Sequence, residues 1–268
     1  MIGVINYQTF NQSLFKVLIK KILLIDPYNK VFSDSSSKLE SLELTKRHTV
    51  IFAVKNSEIK IGKNVCLNNV IIDLKDNSKI TICDNVKIQN TSIKLRKNSN
   101  LNIGNDCILG VNDQSPLYLN LSEGNCEIGE NSKLKLSKIQ VRFGGLLKIG
   151  RYTGFGQNTD IRCDEKISIG DFCLCSYNVS IFDTNVHSLD PEERKVNIIN
   201  QFPSGLSDIV KPKTSPVILG EDIWIGKNAS VLKGSHIATG SIIGMNTVIS
   251  NIKEDSKKTF VASKPITL

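Results

Sequence analysis

One histidine of this chain stands between two aspartates, in the stretch FDTNVHSLD. His187 follows Asp183 by four residues and precedes Asp190 by three. An imidazole takes up a proton near neutral pH, so it is the side chain best suited to accept the proton of a hydroxyl group that attacks a carbonyl. Asp183 is the better candidate to bind the other ring nitrogen and fix the tautomer, whereas Asp190 precedes a proline and is expected to cap a turn. The stretch therefore makes His187 a candidate general base, with Asp183 as its candidate partner.

Position separates His187 from the other two histidines of the chain. His48 precedes the regular part of the sequence, and His236 directly follows a small inward residue of the repeat described below, so it should point outward. A histidine in a loop often has no function, but loops held by a rigid scaffold are where catalytic side chains concentrate. Because the histidines are far apart and the pair Cys173 and Cys175 has no second pair beside it, we expect no metal site.

The elements that must position these residues are repeats. NSEIKIGKN, NSKITICDN and NSNLNIGND begin 21 residues apart, at Asn56, Asn77 and Asn98. The aliphatic residue of this phrase returns along the chain at Ile61, Ile82, Ile103, Ile128, Ile149 and Ile169. Further on the interval shortens to six, with large aliphatic residues at Leu219, Ile225, Val231, Ile237, Ile243 and Ile249. A repeated phrase of this kind indicates a repeated structural unit.

A period of six fits neither a helix of 3.6 residues per turn nor the two-residue alternation of a plain strand. It fits short strands joined by corners at which Gly, Asn or Asp adopts unusual backbone angles. Three such sides close a coil of about 18 to 21 residues, and stacked coils bury an inner face that no coil can bury alone. The sequence therefore predicts an all-β chain, with a parallel β-helix of about eight coils over residues 49–268.

The pattern is interrupted once and is missing at the start. Between Ile181 and Leu219 the rhythm stops, which predicts one long inserted loop over residues 182–216 that contains His187. Residues 1–48 lack the repeat, and their stretch QSLFKVLIKKILLIDP is typical of an amphipathic helix that caps the first coil. Its lysines and the missing cleavage site argue against a membrane span or a signal peptide, while peripheral attachment to the inner membrane surface is an alternative.

Charge and cysteine content favour some function classes over others. The net charge is +8, but the basic residues are spread along the chain, which fits a solvated surface or the attraction of an anionic ligand. Aromatic residues make up 6% and no familiar nucleic-acid motif is present, so nucleic acid is not an expected partner. Several of the seven cysteines fall at inward positions of the repeat, which favours reduced thiols and a cytoplasmic protein.

The stretch VILGEDIWIGKNASVLKGSHIATGSIIGMNTVIS, residues 217–250, resembles the hexapeptide-repeat acyltransferases. Within that family the chain is most similar to sugar O-acetyltransferases of surface-polysaccharide assembly, in which a coil ends in D-x-x-x-H, a long loop follows, and the next coil carries W-I-G. Here IFDTNVHSLD and DIWIG match that order. The resemblance is strongest over 145–268, covers 50–144 only as the same kind of repeat, and does not extend to 1–48. It implies that the β-helix is left-handed.

The resemblance also implies a reaction and an assembly. It implies a homotrimer in which acetyl-CoA donates an acetyl group to a sugar hydroxyl, with His187 as general base and no metal. Trp224, which follows an inward residue and should face outward, would contact the coenzyme or the sugar, or else pack on a neighbouring subunit. The other residues that the resemblance places near the coenzyme are Lys227, Met245, Ser263 and Lys264. Three of these depart from the family pattern: Met245 stands in GMNT where G-A-G-S is common, and Ser263 and Lys264 replace Gly and Asn.

Two other functions fit the same sequence. An N-acyltransferase acting on an amino sugar would make an alkali-stable amide instead of an alkali-labile ester. A non-catalytic β-helix that binds saccharide, or serves as an assembly scaffold, would release no thiol from acetyl-CoA. The same fold also hosts a metal-dependent carbonic anhydrase, but three histidines with none close together do not supply its metal ligands.

Overall fold

The computed structural model describes residues 4–6, 29–110, 116–204 and 210–261. Within them the chain forms short strands, and one helix, α1, spans Pro191–Ser204. The strands of the first half are β1 (Val4–Asn6), β2 (Lys30–Ser33), β3 (Lys38–Ser41), β4 (Leu44–Arg47), β5 (Val50–Ala53), β6 (Glu58–Ile61), β7 (Val65–Leu74), β8 (Lys79–Ile82), β9 (Lys87–Arg96), β10 (Asn100–Ile103), β11 (Ile108–Leu109), β12 (Leu117–Ser122), β13 (Asn125–Ile128), β14 (Lys133–Leu134) and β15 (Lys138–Arg142). Those of the second half are β16 (Leu146–Ile149), β17 (Gly154–Phe155), β18 (Asp160–Cys163), β19 (Lys166–Ile169), β20 (Leu174–Cys175), β21 (Ser180–Phe182), β22 (Val217–Leu219), β23 (Trp224–Ile225), β24 (Ser230–Leu232), β25 (His236–Ile237), β26 (Ile242–Ile243), β27 (Val248–Ile249), β28 (Lys253–Glu254) and β29 (Thr259–Phe260).

The strands stack in parallel into a prism with three faces. Face 1 is a ten-stranded sheet in the order β3, β6, β8, β10, β13, β16, β19, β22, β25, β28. Faces 2 and 3 share one 19-stranded sheet, because β7 and β9 turn from one face to the next at Asn69 and Asn90. Face 2 consists of β4, the first halves of β7 and β9, β11, β14, β17, β20, β23, β26 and β29. Face 3 consists of β1, β2, β5, the second halves of β7 and β9, β12, β15, β18, β21, β24 and β27.

Each strand pairs in register with the strand one coil further along the axis. Ile82, for example, lies between Ile61 and Ile103 on face 1. The predicted fold class, a parallel β-helix, is confirmed. The ten strands of face 1 correspond to about ten coils instead of the eight predicted.

The inward positions are those that the repeat predicts. The series that begins at Leu219 and advances in steps of six is buried up to Ile249. The second inward residues are buried as well: Ile223, Ala229, Ser235, Ser241 and Thr247. Burying a large aliphatic side chain contributes about 1.5–3 kcal/mol, so the stacked inner face is the main source of stability. Ser235 satisfies its buried hydroxyl by donating to the Leu232 carbonyl at 2.7 Å.

The repeated asparagines occupy corners of the prism. Asn77 and Asn98 have φ angles of 59° and 60°, and the Asn77 side-chain amide donates to the Asn98 side-chain oxygen at 3.1 Å. A second ladder of this kind, at the corner between faces 2 and 3, joins Asn178 to Asn228 at 3.1 Å and Asn228 to Asn246 at 3.0 Å. Asn tolerates the left-handed conformation at lower cost than most residues, which explains why the repeated phrase begins with it.

The described coils begin before residue 49, the predicted start of the β-helix. Strands β2, β3 and β4 pair in parallel with β5, β6 and β7. The repeat is hard to see there because all four residues of β3 are exposed, so no buried aliphatic residue marks the inward position. The amphipathic helix predicted over residues 12–27 lies outside the described residues. In the part of the chain that the structure describes, no helix has the length and apolar character needed to cross a membrane.

One long loop interrupts the coils where the sequence predicts it. Strand β21 ends at Phe182 and β22 begins at Val217. The loop therefore leaves the prism at the corner between faces 3 and 1. It contains α1, which the sequence did not predict.

Candidate active site

The loop that carries His187 leaves the prism through a two-armed neck, residues 183–187 and 213–215. Thr184 and Thr214 form an antiparallel bridge between the arms. Two further backbone hydrogen bonds of 2.9 and 3.0 Å join them. Because both arms are bonded to each other beside the prism, the scaffold sets the position of His187.

Asp183 fastens the neck to a neighbouring coil. Its buried carboxylate accepts three backbone N–H bonds, with Oδ1 bound by Asp164 at 2.8 Å and Oδ2 by Glu165 at 2.8 Å and Lys166 at 2.7 Å. Burial raises the pKa of Asp183 above its ordinary value, and the three N–H groups oppose that shift. The carboxylate thus holds the start of the loop against the corner that follows β18. That Asp183 also binds the His187 ring stays a prediction.

Arg142 and Asp164 brace the same corner with a buried ion pair. Arg142 Nε donates to Asp164 Oδ1 at 2.9 Å, and a second guanidinium nitrogen donates to Oδ2 at 2.7 Å. A two-point contact of this kind fixes the direction of both side chains. Sequence reasoning missed the pair. The available signal was the spacing, because opposite charges 22 residues apart lie on adjacent coils.

His187 is exposed at the end of the neck and lines two pockets. One, of about 270 Å³, also includes Lys211 and Lys213. The other, of about 250 Å³, includes Arg194 and Asn197. An exposed imidazole between two pockets is accessible to a bound hydroxyl, which is the first geometric requirement for a general base.

The residues between His187 and α1 are held by the first turn of the helix. Asp190 is the N-cap, since its Oδ1 accepts the N–H groups of Glu192 at 2.8 Å and Glu193 at 3.1 Å. Arg194 donates to two carbonyls between His187 and the helix, at 2.9 and 2.7 Å. The predicted capping role of Asp190 is confirmed, although it caps a helix.

Trp224 lies on β23 of face 2, and its side chain is 56% exposed. The prediction that it faces outward is confirmed. Lys227 and Met245 are also exposed, at the corners that follow face 2 in the same coil and the next one, where the Asn246 N–H donates to the Lys227 carbonyl at 2.9 Å. The structure therefore brings three of the predicted coenzyme residues together. The other two, at positions 263 and 264, lie outside the described residues.

Within a single chain, His187 and Trp224 lie on different sides of the prism. The loop of His187 leaves the corner between faces 3 and 1, whereas Trp224 lies on face 2, which is opposite that corner. The pockets beside the two residues have no lining residue in common.

The other two histidines lie where the sequence places them. His236 is half-buried at the outward position of β25 on face 1. His48 is exposed at a corner with a φ angle of 48°. Neither lines the pockets beside His187.

Five of the seven cysteines are buried in the core, whereas Cys66 and Cys83 are half-buried. Cys173 and Cys175 both point inward and are buried, as their spacing predicts. Burial raises the pKa of Cys126 and of Cys175 to about 12, which keeps these thiols protonated and unreactive near neutral pH. Over the described ranges, no group of three His, Cys, Asp or Glu side chains is arranged to hold a metal ion.

Comparison with curated proteins finds acetyltransferases, two of which are named as O-acetyltransferases. The chain is 26% identical over 135 residues, 50% of its length and 66% of the other protein's, to the "Putative lipopolysaccharide biosynthesis O-acetyl transferase WbbJ" of Escherichia coli. It is 26% identical over 123 residues, 46% of its length and 53% of the other protein's, to the galactoside O-acetyltransferase of Escherichia coli. The matches confirm the resemblance to hexapeptide-repeat acyltransferases. The chain spans about half to two thirds of the length of these relatives.

Among solved structures, the polySia-specific acetyltransferase NeuO aligns with 84% of this chain and 79% of its own at 17% identity, with a TM-score of 0.44. No protein-family model matches the chain. The fold assignment above therefore comes from the strand register itself.

Proposed function

We propose that this protein transfers an acetyl group from acetyl-CoA to a hydroxyl group of a saccharide in bacterial surface-polysaccharide synthesis. The observation that carries the proposal is His187, an exposed imidazole on a neck that Asp183 fastens to the scaffold. The similarity to WbbJ and to the galactoside O-acetyltransferase supports the choice of an acetyl donor and a saccharide acceptor.

In the proposed reaction His187 takes the proton of the acceptor hydroxyl as its oxygen attacks the thioester carbonyl carbon. The new C–O bond forms, the C–S bond breaks, and the CoA sulfur leaves and takes up a proton. General-base assistance of this kind contributes about 100- to 10,000-fold in rate. Asp183 keeps the neck, and with it the ring, in one place.

We place the reaction between neighbouring copies of the chain in a homotrimer. The support is that His187 and the predicted coenzyme residues lie on opposite sides of one prism, so a site containing both needs two copies. Large apolar side chains are exposed on both sides, at Trp224 on face 2 and at Val196, Ile198 and Ile199 on α1. Exposed apolar groups on two separate surfaces suit a head-to-tail ring, in which the loop of one copy covers face 2 of the next.

The coenzyme would lie along the C-terminal coils, beside Trp224, Lys227 and Met245, and toward Ser263 and Lys264. An exposed aromatic ring and lysine side chains suit the apolar arm and the phosphates of acetyl-CoA. Because that donor is cytoplasmic and the cysteines are free thiols, we place the protein in the cytoplasm. The alternative placement is at the inner membrane surface, with the amphipathic segment 12–27 as the point of attachment.

The reaction is tested by incubating the protein with acetyl-CoA and a panel of saccharides while free thiol is measured. We expect saccharide-dependent thiol release and a product that carries an alkali-labile acetyl ester. An alkali-stable product would instead identify an N-acyltransferase acting on an amino sugar. Saccharide binding without thiol release would identify a non-catalytic β-helix.

The shared site is tested by mixing His187→Ala with Trp224→Arg after partial unfolding, once each variant has been shown to be inactive by itself. In a randomly mixed ring of three, a site is intact when one copy supplies His187 and its neighbour supplies Trp224, so activity should return to about one quarter of the wild-type value. Light scattering confirms that both variants still assemble. If mixing restored nothing while both variants assembled, the site would belong to one chain.

A further inference from the structure

A notch interrupts face 2 on the side of Trp224 that points toward the N-terminus. Strand pairing puts Lys133, Gly154, Leu174 and Trp224 in one outward row, one residue per coil. Gly154 leaves a gap in that row. The gap opens a pocket of about 310 Å³, to which Lys135 and Tyr177 also contribute. We call this pocket, whose lining includes these six residues, the Gly154 notch.

Gly154 is not required by the backbone. A Cβ atom added there would meet nothing within 4 Å, and its φ angle is not positive. Gly156, two residues later, is different, because a Cβ added there would lie 2.6 Å from the Ser176 carbonyl oxygen. Glycine weakens a strand relative to residues with side chains. The glycine at position 154 has no side chain, and this leaves the space that forms the notch.

The walls of the notch combine apolar surface with positive charge. Leu174, Tyr177 and Trp224 are 58%, 51% and 56% exposed. Lys133 and Lys135 are exposed on the other side. Among the described residues, neither lysine ammonium group has an ion pair or a hydrogen bond to a side chain.

These two walls match one class of ligand. The C–H face of a sugar ring packs on aromatic rings, and two free ammonium groups two residues apart bind a carboxylate or a phosphate. A neutral sugar would leave both lysines unused, and a small free anion would leave the aromatic wall uncovered. The ligand that uses both walls is a sugar unit with an acidic substituent.

We propose that the Gly154 notch binds an anionic saccharide unit, with its ring against Trp224 and Tyr177 and its carboxylate or phosphate against Lys133 and Lys135. The inference rests on the proposed function in that it names the class of acceptor. The inference also assigns the two ligands to different parts of face 2. The coenzyme would bind on the C-terminal side of Trp224, beside Lys227 and Met245, and the acceptor would bind in the notch.

Binding can be measured without any reaction, because Trp224 is the only tryptophan of the chain. Tryptophan fluorescence is titrated with glucuronate, glucose 6-phosphate, glucose and inorganic phosphate, in the absence of acetyl-CoA. We expect at least one anionic sugar to change the signal saturably and to bind at least tenfold more tightly than glucose and than inorganic phosphate. The carboxylate and phosphate arms show which acidic group the lysines prefer.

Three variants locate the binding. Gly154→Leu should abolish it by filling the notch, and Lys133→Gln with Lys135→Gln should weaken it about tenfold or more for the anionic sugar and leave glucose unchanged. Lys87→Gln is the matched control, since Lys87 is an exposed lysine on face 2, two coils further toward the N-terminus. Thermal denaturation confirms that each variant is folded.

Three outcomes would contradict the proposed binding site. They are equal binding of charged and neutral sugars, no saturable signal with either anionic sugar, and binding that persists in a folded Gly154→Leu variant. These failures are distinct from failure of the proposed reaction. Binding in the notch without thiol release from acetyl-CoA would contradict the reaction and leave the notch in place. Acetyl transfer that is unaffected by Gly154→Leu would support the reaction and contradict the notch as the acceptor site.

Discussion

The coils between residues 58 and 110 and the coils between residues 146 and 261 are built on the same inner face but carry different outer faces. In the first region most outward positions hold polar side chains, and Ile71 is the one large apolar side chain that is exposed among its described residues. In the second region the described outer surface is rich in large apolar side chains, at Leu146, Tyr152, Phe172, Leu174, Tyr177, Leu189, Val196, Ile198, Ile199, Val210, Trp224, Met245, Val248 and Val261.

The difference shows which part of a repeat can carry function. Inward residues must be aliphatic or small in every coil, because each coil is stable only when stacked on its neighbours. Outward residues and inserted loops are free of that requirement. We therefore assign the first region to the scaffold and the second to the site, and the predictions below test that division.

The largest effect is expected at His187. Replacing it by Ala removes proton transfer but no large binding surface, so turnover should fall about 100- to 10,000-fold while the affinity for acetyl-CoA stays nearly constant. Steady-state kinetics and isothermal titration measure the two quantities.

The control for this prediction is His236→Ala, together with His48→Ala. Both residues lie away from the pockets of His187 and should keep most of the activity. If His236→Ala were the more damaging change, or if His187→Ala kept activity within about tenfold of wild type, the base would lie elsewhere.

A core residue of the scaffold should affect stability alone. Ile82 is fully buried in the first region, so Ile82→Ala should lower the free energy of unfolding by about 2–5 kcal/mol. The Michaelis constant for acetyl-CoA should not change. Ile225→Ala, directly beside Trp224 in β23, is the matched change in the second region and should raise that constant as well. Equal kinetic effects of the two changes would contradict the division.

A smaller loss of stability is expected at Asp183. Replacing it by Ala leaves three backbone N–H groups of the corner without their acceptor, which should cost about 1–3 kcal/mol. Turnover should fall too, because the neck loses its attachment. Chemical denaturation measures the first effect and kinetics the second. Full activity with unchanged stability would remove Asp183 from any positioning role.

The contribution of Asp183 to the free energy of unfolding should change with pH in a definite direction. Burial raises the pKa of Asp183, so its contribution to stability is fully present below the unfolded-state pKa and declines as the pH rises through the folded-state pKa. The stability deficit of Asp183→Asn relative to wild type should therefore narrow as the pH rises. A deficit that widens with pH would mean that the three N–H bonds outweigh burial.

The inner face could be predicted from sequence because one aliphatic residue per side repeats in every coil. That periodicity gave the inward positions of Ile61 and Leu219, and by counting one residue on, the outward position of Trp224. The coil that contains β3 was missed because its strand is exposed and lacks the periodic residue. Helix α1 was missed for a similar reason, since Val196, Ile198 and Ile199 are exposed and mark no core-facing stripe.

The site was harder to predict because it depends on which face each residue occupies. The spacing of Asp183 and His187 indicated a pair, yet the Asp183 carboxylate is engaged by three backbone N–H groups of a neighbouring coil. Such contacts are between residues 17 to 19 apart, and no local motif encodes them. The same holds for Arg142 and Asp164, whose pairing follows from the coil register.

The smallest effect on substrate binding is expected for the exposed apolar side chain Trp224, which is compared below with Ile71 in the first region. Trp224→Ala should weaken binding of acetyl-CoA or of the saccharide, because an aromatic contact is worth about 0.5–1.5 kcal/mol beyond its area, or about two- to tenfold in affinity. The fold should be unchanged, since the Trp224 side chain points out of the coil and is 56% exposed. Michaelis constants for both substrates and the melting temperature are the measurements.

Ile71→Ala is the matched change in the scaffold region, at an outward position of face 3 where the side chain is 45% exposed. Removing it takes away a similar kind of exposed apolar group, but no pocket of the candidate site includes it. Both Michaelis constants should therefore stay at their wild-type values. If Ile71→Ala weakened substrate binding as much as Trp224→Ala, the binding surface would extend over the scaffold coils. If neither did, Trp224 would serve only to pack against a neighbouring copy.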